Sequence, residues 1–212
     1  MTWLLTPLTP WDALPWLAMC PLEILATCFG IWCVVCYVRE SAWAWPTGLI
    51  NVALSIVVYW NSKLYADSAL QVVYVVLQFY GWWLWLRGGE QRTGIAITRT
   101  SARLWCLLAV IAVVAVVPMG LGLQRWTDST TPWWDAIPTV LSLVAQWMIS
   151  YKKLENWLVW MVVDLVFIPL LVYKGLYLFA GLYVVLFVLC CLGLRSWLRT
   201  WRAAQSPATV PA

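Results

Sequence analysis

The chain has 212 residues, of which 64% are hydrophobic and only 10% charged, with a net charge of +4. A soluble domain of this size has no interior large enough for so much apolar surface, so a soluble enzyme is excluded. With no histidine in the chain, a His-based triad, a His-ligated haem and nearly all catalytic zinc sites are excluded as well. No G-x-x-x-x-G-K-[ST] run supplies an ATP site.

The first 20 residues hold Trp3, Trp11 and Trp16 among Pro7, Pro10 and Pro15. Without a basic n-region or a small-residue cleavage site they read as an interfacial segment and not as a cleaved signal. At about 20 residues per bilayer crossing, the apolar stretches that follow predict seven helices: Pro21 to Val38, Trp43 to Trp60, Ala69 to Leu86, Leu104 to Gly122, Trp133 to Ile149, Trp157 to Tyr173 and Leu176 to Leu194. Glu23 makes the first of these the weakest span. Many of the 19 tryptophans fall at span ends, where an indole keeps its ring in lipid and its N–H in water.

Counting Lys and Arg on the two sides gives an orientation. One side holds Lys63, Arg125 and Lys174; the other holds Arg39, Arg87, Arg92, Arg99, Arg103, Lys152, Lys153, Arg195, Arg199 and Arg202. The positive-inside rule then places the N-terminus outside and the C-terminus inside. The basic residues are spread over four loops with no aromatic-interleaved patch, so no nucleic-acid partner is expected. Cys33 and Cys36 form a C-x-x-C, but its apolar flanks argue against a metal or redox role, and no cofactor is expected.

A shift of 112 residues lays Leu64-Tyr65 on Leu176-Tyr177, Gly81 on Gly193, Trp85 on Trp197 and Trp45 on Trp157. Nine of the 22 positions from Leu64 to Trp85 are identical at this offset. The repeat divides the chain into an interfacial segment (1–20), a first three-helix bundle (21–87), a loop with a charge-free linker helix (88–131), a second three-helix bundle (132–197) and a cytoplasmic tail (198–212). Three helices invert the chain and the fourth restores its direction, so the two bundles are parallel. Substrate is expected near the midplane between them, as in the sugar-carrying SWEET proteins.

Asp164 falls mid-span, where a carboxylate costs about 2.5 to 3.5 kcal/mol and must face a cavity, a partner or water. Trp157, Trp160 and Asp164 share one helical face. Gln71, Gln78, Trp82 and Trp85 form a stripe in the third span; Gly48, Asn51 and Ser55 do so in the second; Thr139, Ser142 and Gln146 do so in the fifth. Interhelical hydrogen bonding at about 0.6 kcal/mol apiece accounts for Ser55, Thr139 and Ser142. Asn51, Gln78 and Gln146 serve either as such bonds or as a converging set around one polar ligand. Asp164 is either a ligand-facing acid or a structural one bonded to another helix or to Lys153. Pro169 frees backbone carbonyls beside a cavity or marks a packing kink.

Five segments, in order, carry a resemblance: Trp45-Pro46-Thr47-Gly48; Leu77-Gln78-Phe79-Tyr80-Gly81-Trp82-Trp83-Leu84-Trp85; Ala145-Gln146; Lys153-Leu154-Glu155-Asn156-Trp157-Leu158-Val159-Trp160 with Asp164; and Tyr173-Lys174-Gly175-Leu176-Tyr177. About half the chain, as this ordered set, strongly resembles the PnuC family of bacterial nicotinamide riboside transporters, with Trp83 where tyrosine is the family's residue. The first 40 residues and the stretch from Gly88 to Trp134 carry no matching motif.

The resemblance implies an all-α, seven-helix 3+1+3 membrane protein of the bacterial inner membrane. It further implies a homotrimer that takes up the riboside by facilitated diffusion and relies on a separate cytoplasmic riboside kinase to trap it. The expected substrate route is lined by Gln78, Asn51, Gln146, Asp164, Trp45, Trp157 and Trp160, with Asn156 and Tyr183. Indole faces suit a pyridinium cation, at about 0.5 to 2 kcal/mol per contact. Carboxamides suit the ligand's own amide and ribose hydroxyls. The absence of Arg and Lys at membrane depth argues against a phosphorylated cargo. Tyr80, Trp82 and Trp83 are read as a gate or as interfacial anchors.

Other readings stay open: a related carrier of thiamine, riboflavin or a sugar, and, from another class, a seven-helix receptor. A retinal-type receptor needs a mid-membrane lysine, whereas Lys174 sits at a span boundary. An intramembrane enzyme lacks a good nucleophile and base pair.

Overall fold

The computed structural model describes residues 20–61, 65–89, 94–127 and 131–205, with backbone only at 65–67. Residues 1–19, Lys63, Leu64, Arg92 and the tail beyond Gln205 lie outside the described residues. The described residues form seven helices: α1 (Pro21–Val38), α2 (Ala44–Asn61), α3 (Tyr65–Arg87), α4 (Ala102–Trp126), α5 (Pro132–Ser150), α6 (Asn156–Tyr173) and α7 (Tyr177–Gln205). No sheet forms among them.

Glu23 begins α1 as a cap: its Oε2 accepts the Cys20 N–H at 2.8 Å, satisfying a donor that the first turn leaves open. Ser101 does the same for α4 by accepting the Leu104 N–H at 3.3 Å. The apolar part of α7 ends near Leu194, but the helix runs on to Gln205. Leu, Arg and Ala in that stretch are good helix formers whether or not lipid surrounds them. Arg99 lies 5.6 Å over the Trp201 ring and ties the extension to the segment before α4.

Five helices, α1, α3, α4, α6 and α7, are long and apolar enough on their own to cross a membrane. α2 carries Asn51 and Ser55, and α5 carries Asp135, Thr139, Ser142 and Gln146; these side chains dilute their hydropathy. α1, α2 and α3 pack in sequence, as do α5, α6 and α7; α1 also meets α7, α3 meets α5, and α4 lies against α5.

The helices on the two sides end alike. α1 stops with Glu40 at φ 54° and α5 with Lys152 at φ 47°, positions that a 112-residue shift interchanges. In the first turn Glu40 N–H reaches Tyr37 O at 3.0 Å and Ser41 N–H reaches Cys36 O at 2.9 Å. In the second, Lys152 N–H reaches Ile149 O at 3.0 Å and Lys153 N–H reaches Met148 O at 2.9 Å. These are paired Schellman caps, in which glycine is the usual left-handed residue. Here the two side chains approach one another instead, Lys152 Nζ lying 3.8 Å from Glu40 Oε2 and 4.5 Å above the Trp85 ring.

The core gathers at this end of the bundle. Trp45, Trp157 and Trp197 are fully buried with Trp85, Tyr37 and Ile149. Gly81 and Gly193 provide the space: a Cβ on Gly81 would come within 1.9 Å of the Trp45 ring, and one on Gly193 within 2.6 Å of Trp157. Trp85 Nε1 donates to Ile149 O at 3.1 Å, and Trp197 Nε1 donates to Tyr37 O at 2.8 Å. Beside this core, the segment before α4 runs parallel to the α5–α6 turn in a bridge at Thr98 and Lys153. There Glu155 accepts bonds from Thr100 N and Oγ1, both at 2.8 Å, and from Arg99 Nε at 3.1 Å. Burial alone would raise the Glu155 carboxyl, but these donors outweigh it and hold it below the usual carboxylate range. Burial also lowers Lys152, with Glu40 acting against that shift.

Candidate binding cavity

Every helix except α4 contributes to a cavity of about 540 Å³. From α1 come Glu23, Thr27, Gly30, Cys33, Val34 and Tyr37, spaced by three and four residues so that one face of the helix looks inward. α2 and α3 add Asn51, Ser55, Tyr59, Gln71, Tyr74 and Gln78. α5, α6 and α7 add Ser142, Gln146, Trp157, Trp160, Asp164, Phe167, Tyr183 and Cys190. Tyr37 and Trp157 belong both to this lining and to the aromatic core, which therefore closes one end of the cavity.

The hydroxyls are largely used within the protein. Ser55 Oγ donates to Asn51 O at 2.9 Å, and Thr139 Oγ1 to Asp135 O at 2.8 Å, as helix back-bonds. Ser142 Oγ donates to Thr139 O at 2.8 Å and meets Tyr74 Oη at 2.5 Å, joining α3 to α5. Among the carboxamides, Asn51 Nδ2 donates to Ala26 O at 2.7 Å. Gln78 Oε1 accepts the Tyr37 hydroxyl at 3.2 Å. Gln146 Nε2 and Trp157 Nε1 are buried with no hydrogen bond of good geometry among the described residues, Gln146 lying beside the Tyr37 hydroxyl. A buried donor left unpaired costs about 1 to 3 kcal/mol.

Asp164 is 2% exposed. Its hydrogen bond comes from Cys190 Sγ on α7 at 3.6 Å, and it makes no ion pair among the described residues. Lys153 lies elsewhere, its Nζ donating to Thr98 Oγ1 at 3.0 Å. Among the described residues no Lys or Arg lines the cavity, and its carboxylic acids are Glu23 and Asp164.

Of the residues expected on the route, Gln78, Asn51, Gln146, Asp164, Trp157, Trp160 and Tyr183 line this cavity, and two do not. Trp45 is packed behind it, edge-on to Tyr37 and Trp85 at 5.2 and 5.4 Å, because the missing side chain of Gly81 draws its ring toward α3. Asn156 is fully buried at the start of α6, where its Nδ2 donates to Lys153 O at 2.7 Å and braces the turn. Tyr80, Trp82 and Trp83 are also off the lining: Tyr80 meets the Tyr151 hydroxyl, Trp82 backs the aromatic core, and Trp83 faces outward. Cys33 Sγ donates to Ala44 O at 3.1 Å, and no metal-ligating cluster occurs among the described residues. Glu23, Tyr37, Tyr59, Tyr74 and Phe167 were not anticipated. The three-and-four spacing from Glu23 to Tyr37 was the available signal for the first two.

Residues 20–199 match the family of nicotinamide mononucleotide transporters. The chain is 28% identical to the nicotinamide riboside transporter PnuC of Escherichia coli, over 88% of this chain and 89% of that one. It is 29% identical to the riboflavin/roseoflavin transporter RibM of Streptomyces davaonensis, over 75% and 76% of the two chains. A crystal structure of the vitamin B3 transporter PnuC superposes with a TM-score of 0.68 at 26% identity, covering 86% of this chain and 82% of the other. A match across nearly the whole helical region, together with this shared fold, places the chain in the nicotinamide mononucleotide transporter family of membrane proteins.

Proposed function

We propose that the protein carries nicotinamide riboside across the bacterial inner membrane by facilitated diffusion, with the riboside seated in the cavity between α1–α3 and α5–α7. The observation that carries this reading is the charge of the lining, which holds Asp164 and Glu23 and neither Lys nor Arg. A pyridinium cation bearing a carboxamide and a ribose complements such a lining, with Trp157 and Trp160 for the ring and the carboxamides for the hydroxyls. A phosphate would meet acids and no base, so the riboside fits where the mononucleotide does not.

In this reading all seven helices span the membrane, α2 and α5 turning their polar faces to the cavity. The reciprocal Trp85 and Trp197 bonds and the twin Schellman turns support a parallel 3+1+3 repeat. The excess of Lys and Arg at the end marked by Lys152 supports an inside C-terminus. A homotrimer, and trapping of the cargo by a cytoplasmic riboside kinase, follow from the family resemblance. The similarity to RibM favours riboflavin as the second reading.

Calorimetric titration of the purified protein with the riboside, the mononucleotide, nicotinamide, thiamine and riboflavin tests these readings. Heat with the riboside and none with the mononucleotide is expected. Heat with riboflavin alone would keep the cavity and change its cargo.

A further inference from the structure

Tyr37 stands where three structures meet. Its ring lies edge-on to Trp45 at 5.2 Å and to Trp85 at 5.7 Å, inside the aromatic core. Its carbonyl accepts Trp197 Nε1 at 2.8 Å, tying α1 to α7. Its hydroxyl reaches into the cavity, donates to Gln78 Oε1 at 3.2 Å and is approached by the Gln146 side chain. A phenol has one proton to give. Spent on Gln78 Oε1, it sets which end of that carboxamide is which, and Gln78 Nε2 is left as a donor with no hydrogen bond among the described residues. The same nitrogen sits against Gly48, where a Cβ would come within 2.3 Å of it, so the backbone of α2 helps keep the amide in this pose.

We propose that Tyr37 is a positioning residue for the cargo: held by the aromatic core, its phenol fixes the Gln78 carboxamide so that Nε2 faces an acceptor on the ligand. The proposal rests on the cavity being the transport site. A carboxamide fixed before binding loses less freedom when the ligand arrives, so the phenol contributes to affinity without touching the ligand. A merely structural Tyr37 would tether α1 to α3 and have no link to the ligand through Gln78.

A double-mutant cycle on the full-length protein separates the two roles, read by calorimetric titration together with the ligand-free melting midpoint. Tyr37→Phe keeps the ring and removes the proton. It is expected to weaken riboside binding about threefold to tenfold, the effect of one neutral hydrogen bond. Gln78→Ala is expected to weaken it further, and the double variant should bind no more weakly than Gln78→Ala alone, because Tyr37 acts through Gln78. Wild-type affinity in Tyr37→Phe, losses that multiply in the double variant, or a Tyr37→Phe chain that does not fold would each overturn the proposal. A wild-type protein silent toward the riboside but binding one of the other four compounds overturns the assigned cargo instead. The cycle is then decided with that compound.

Discussion

The indoles of Trp85 and Trp197 lie 6.0 Å apart, centroid to centroid, and each sends its N–H to a carbonyl on the opposite half of the molecule, Trp85 to Ile149 and Trp197 to Tyr37. Both bonds are buried, and each carbonyl also accepts a turn N–H, Ile149 O from Lys152 and Tyr37 O from Glu40, so replacing the indole removes one of its two partners. Trp85→Phe and Trp197→Phe are each expected to destabilise the fold by about 0.5 to 1.5 kcal/mol for the lost hydrogen bond, with the lost packing in addition. Because the two bonds correspond under the 112-residue shift, the two losses should be similar, as melting midpoints in one detergent would show. A loss confined to one variant would mean that the two sites are not equivalent.

Two of the indoles that pack on glycine allow a sharper test. Gly81→Ala drives a Cβ to 1.9 Å from the fully buried Trp45 ring, and Gly193→Ala drives one to 2.6 Å from Trp157. The Trp45 ring is packed on every side, whereas Trp157 borders the cavity and can shift toward it, so the first should cost about 3 kcal/mol or more and the second less. Gly181→Ala is the control, since nothing lies within 4 Å of its Cβ. It should fold as well as the wild type or better, alanine being favoured over glycine in a helix by about 1 kcal/mol. Folded yield after size-exclusion chromatography ranks the three.

Asp164 is a buried carboxyl group with no cation beside it among the described residues, in a cavity proposed to take one. Asp164→Asn preserves its shape and removes its charge. Binding of the cationic riboside should fall at least tenfold, equivalent to about 1.4 kcal/mol, while the reduced, uncharged riboside should be affected far less. An equal fall for both forms would assign Asp164 to packing and its Cys190 bond.

Glu155 gives a dependence on acidity. Its carboxyl is held below the unfolded value of 4.5 by Thr100 and Arg99, which outweigh its burial. The folded state therefore binds this proton less readily than the unfolded chain does. Stability from Glu155 is complete above about 4.5 and is lost as pH falls toward the lower folded value. Melting midpoints should decline through that window in the wild type and less steeply in Glu155→Gln. Arg99→Ala should have little effect, because its side chain is 64% exposed and water screens the pair.

The helices were legible because a bilayer crossing demands a long apolar run, a demand visible in any window of the chain. α1 accordingly has the expected ends, and Glu23, the apparent blemish, is its cap. Asn51, Gln78, Gln146 and Asp164 could be singled out because polar side chains at that depth need a reason to be there. The direction in which a tryptophan points was not legible. Trp45 and Trp157 sit at corresponding positions, yet only Trp157 borders the cavity, since that depends on the glycine opposite and on neighbours from other helices. Tyr37 was hidden for a related reason: its segment carries no family motif, and its importance lies in contacts with residues 41 and 160 positions away. The helical extension of α7 escaped because hydropathy stops where charge begins, whereas helix hydrogen bonding does not.

α4 lends no side chain to the cavity, and its Val110, Val113, Val114 and Val117 all face outward. Cargo therefore makes no direct demand on these four positions, whereas the face of α4 turned to α5, where Gly120 packs on the Trp133 ring, answers to fit. These four letters should be free to drift among aliphatics, whereas those that line the cavity should not. A library scrambling these four valines among Leu, Ile and Ala should return carriers of unaltered preference, and related carriers for different vitamins should differ in α4 without that difference explaining their diets.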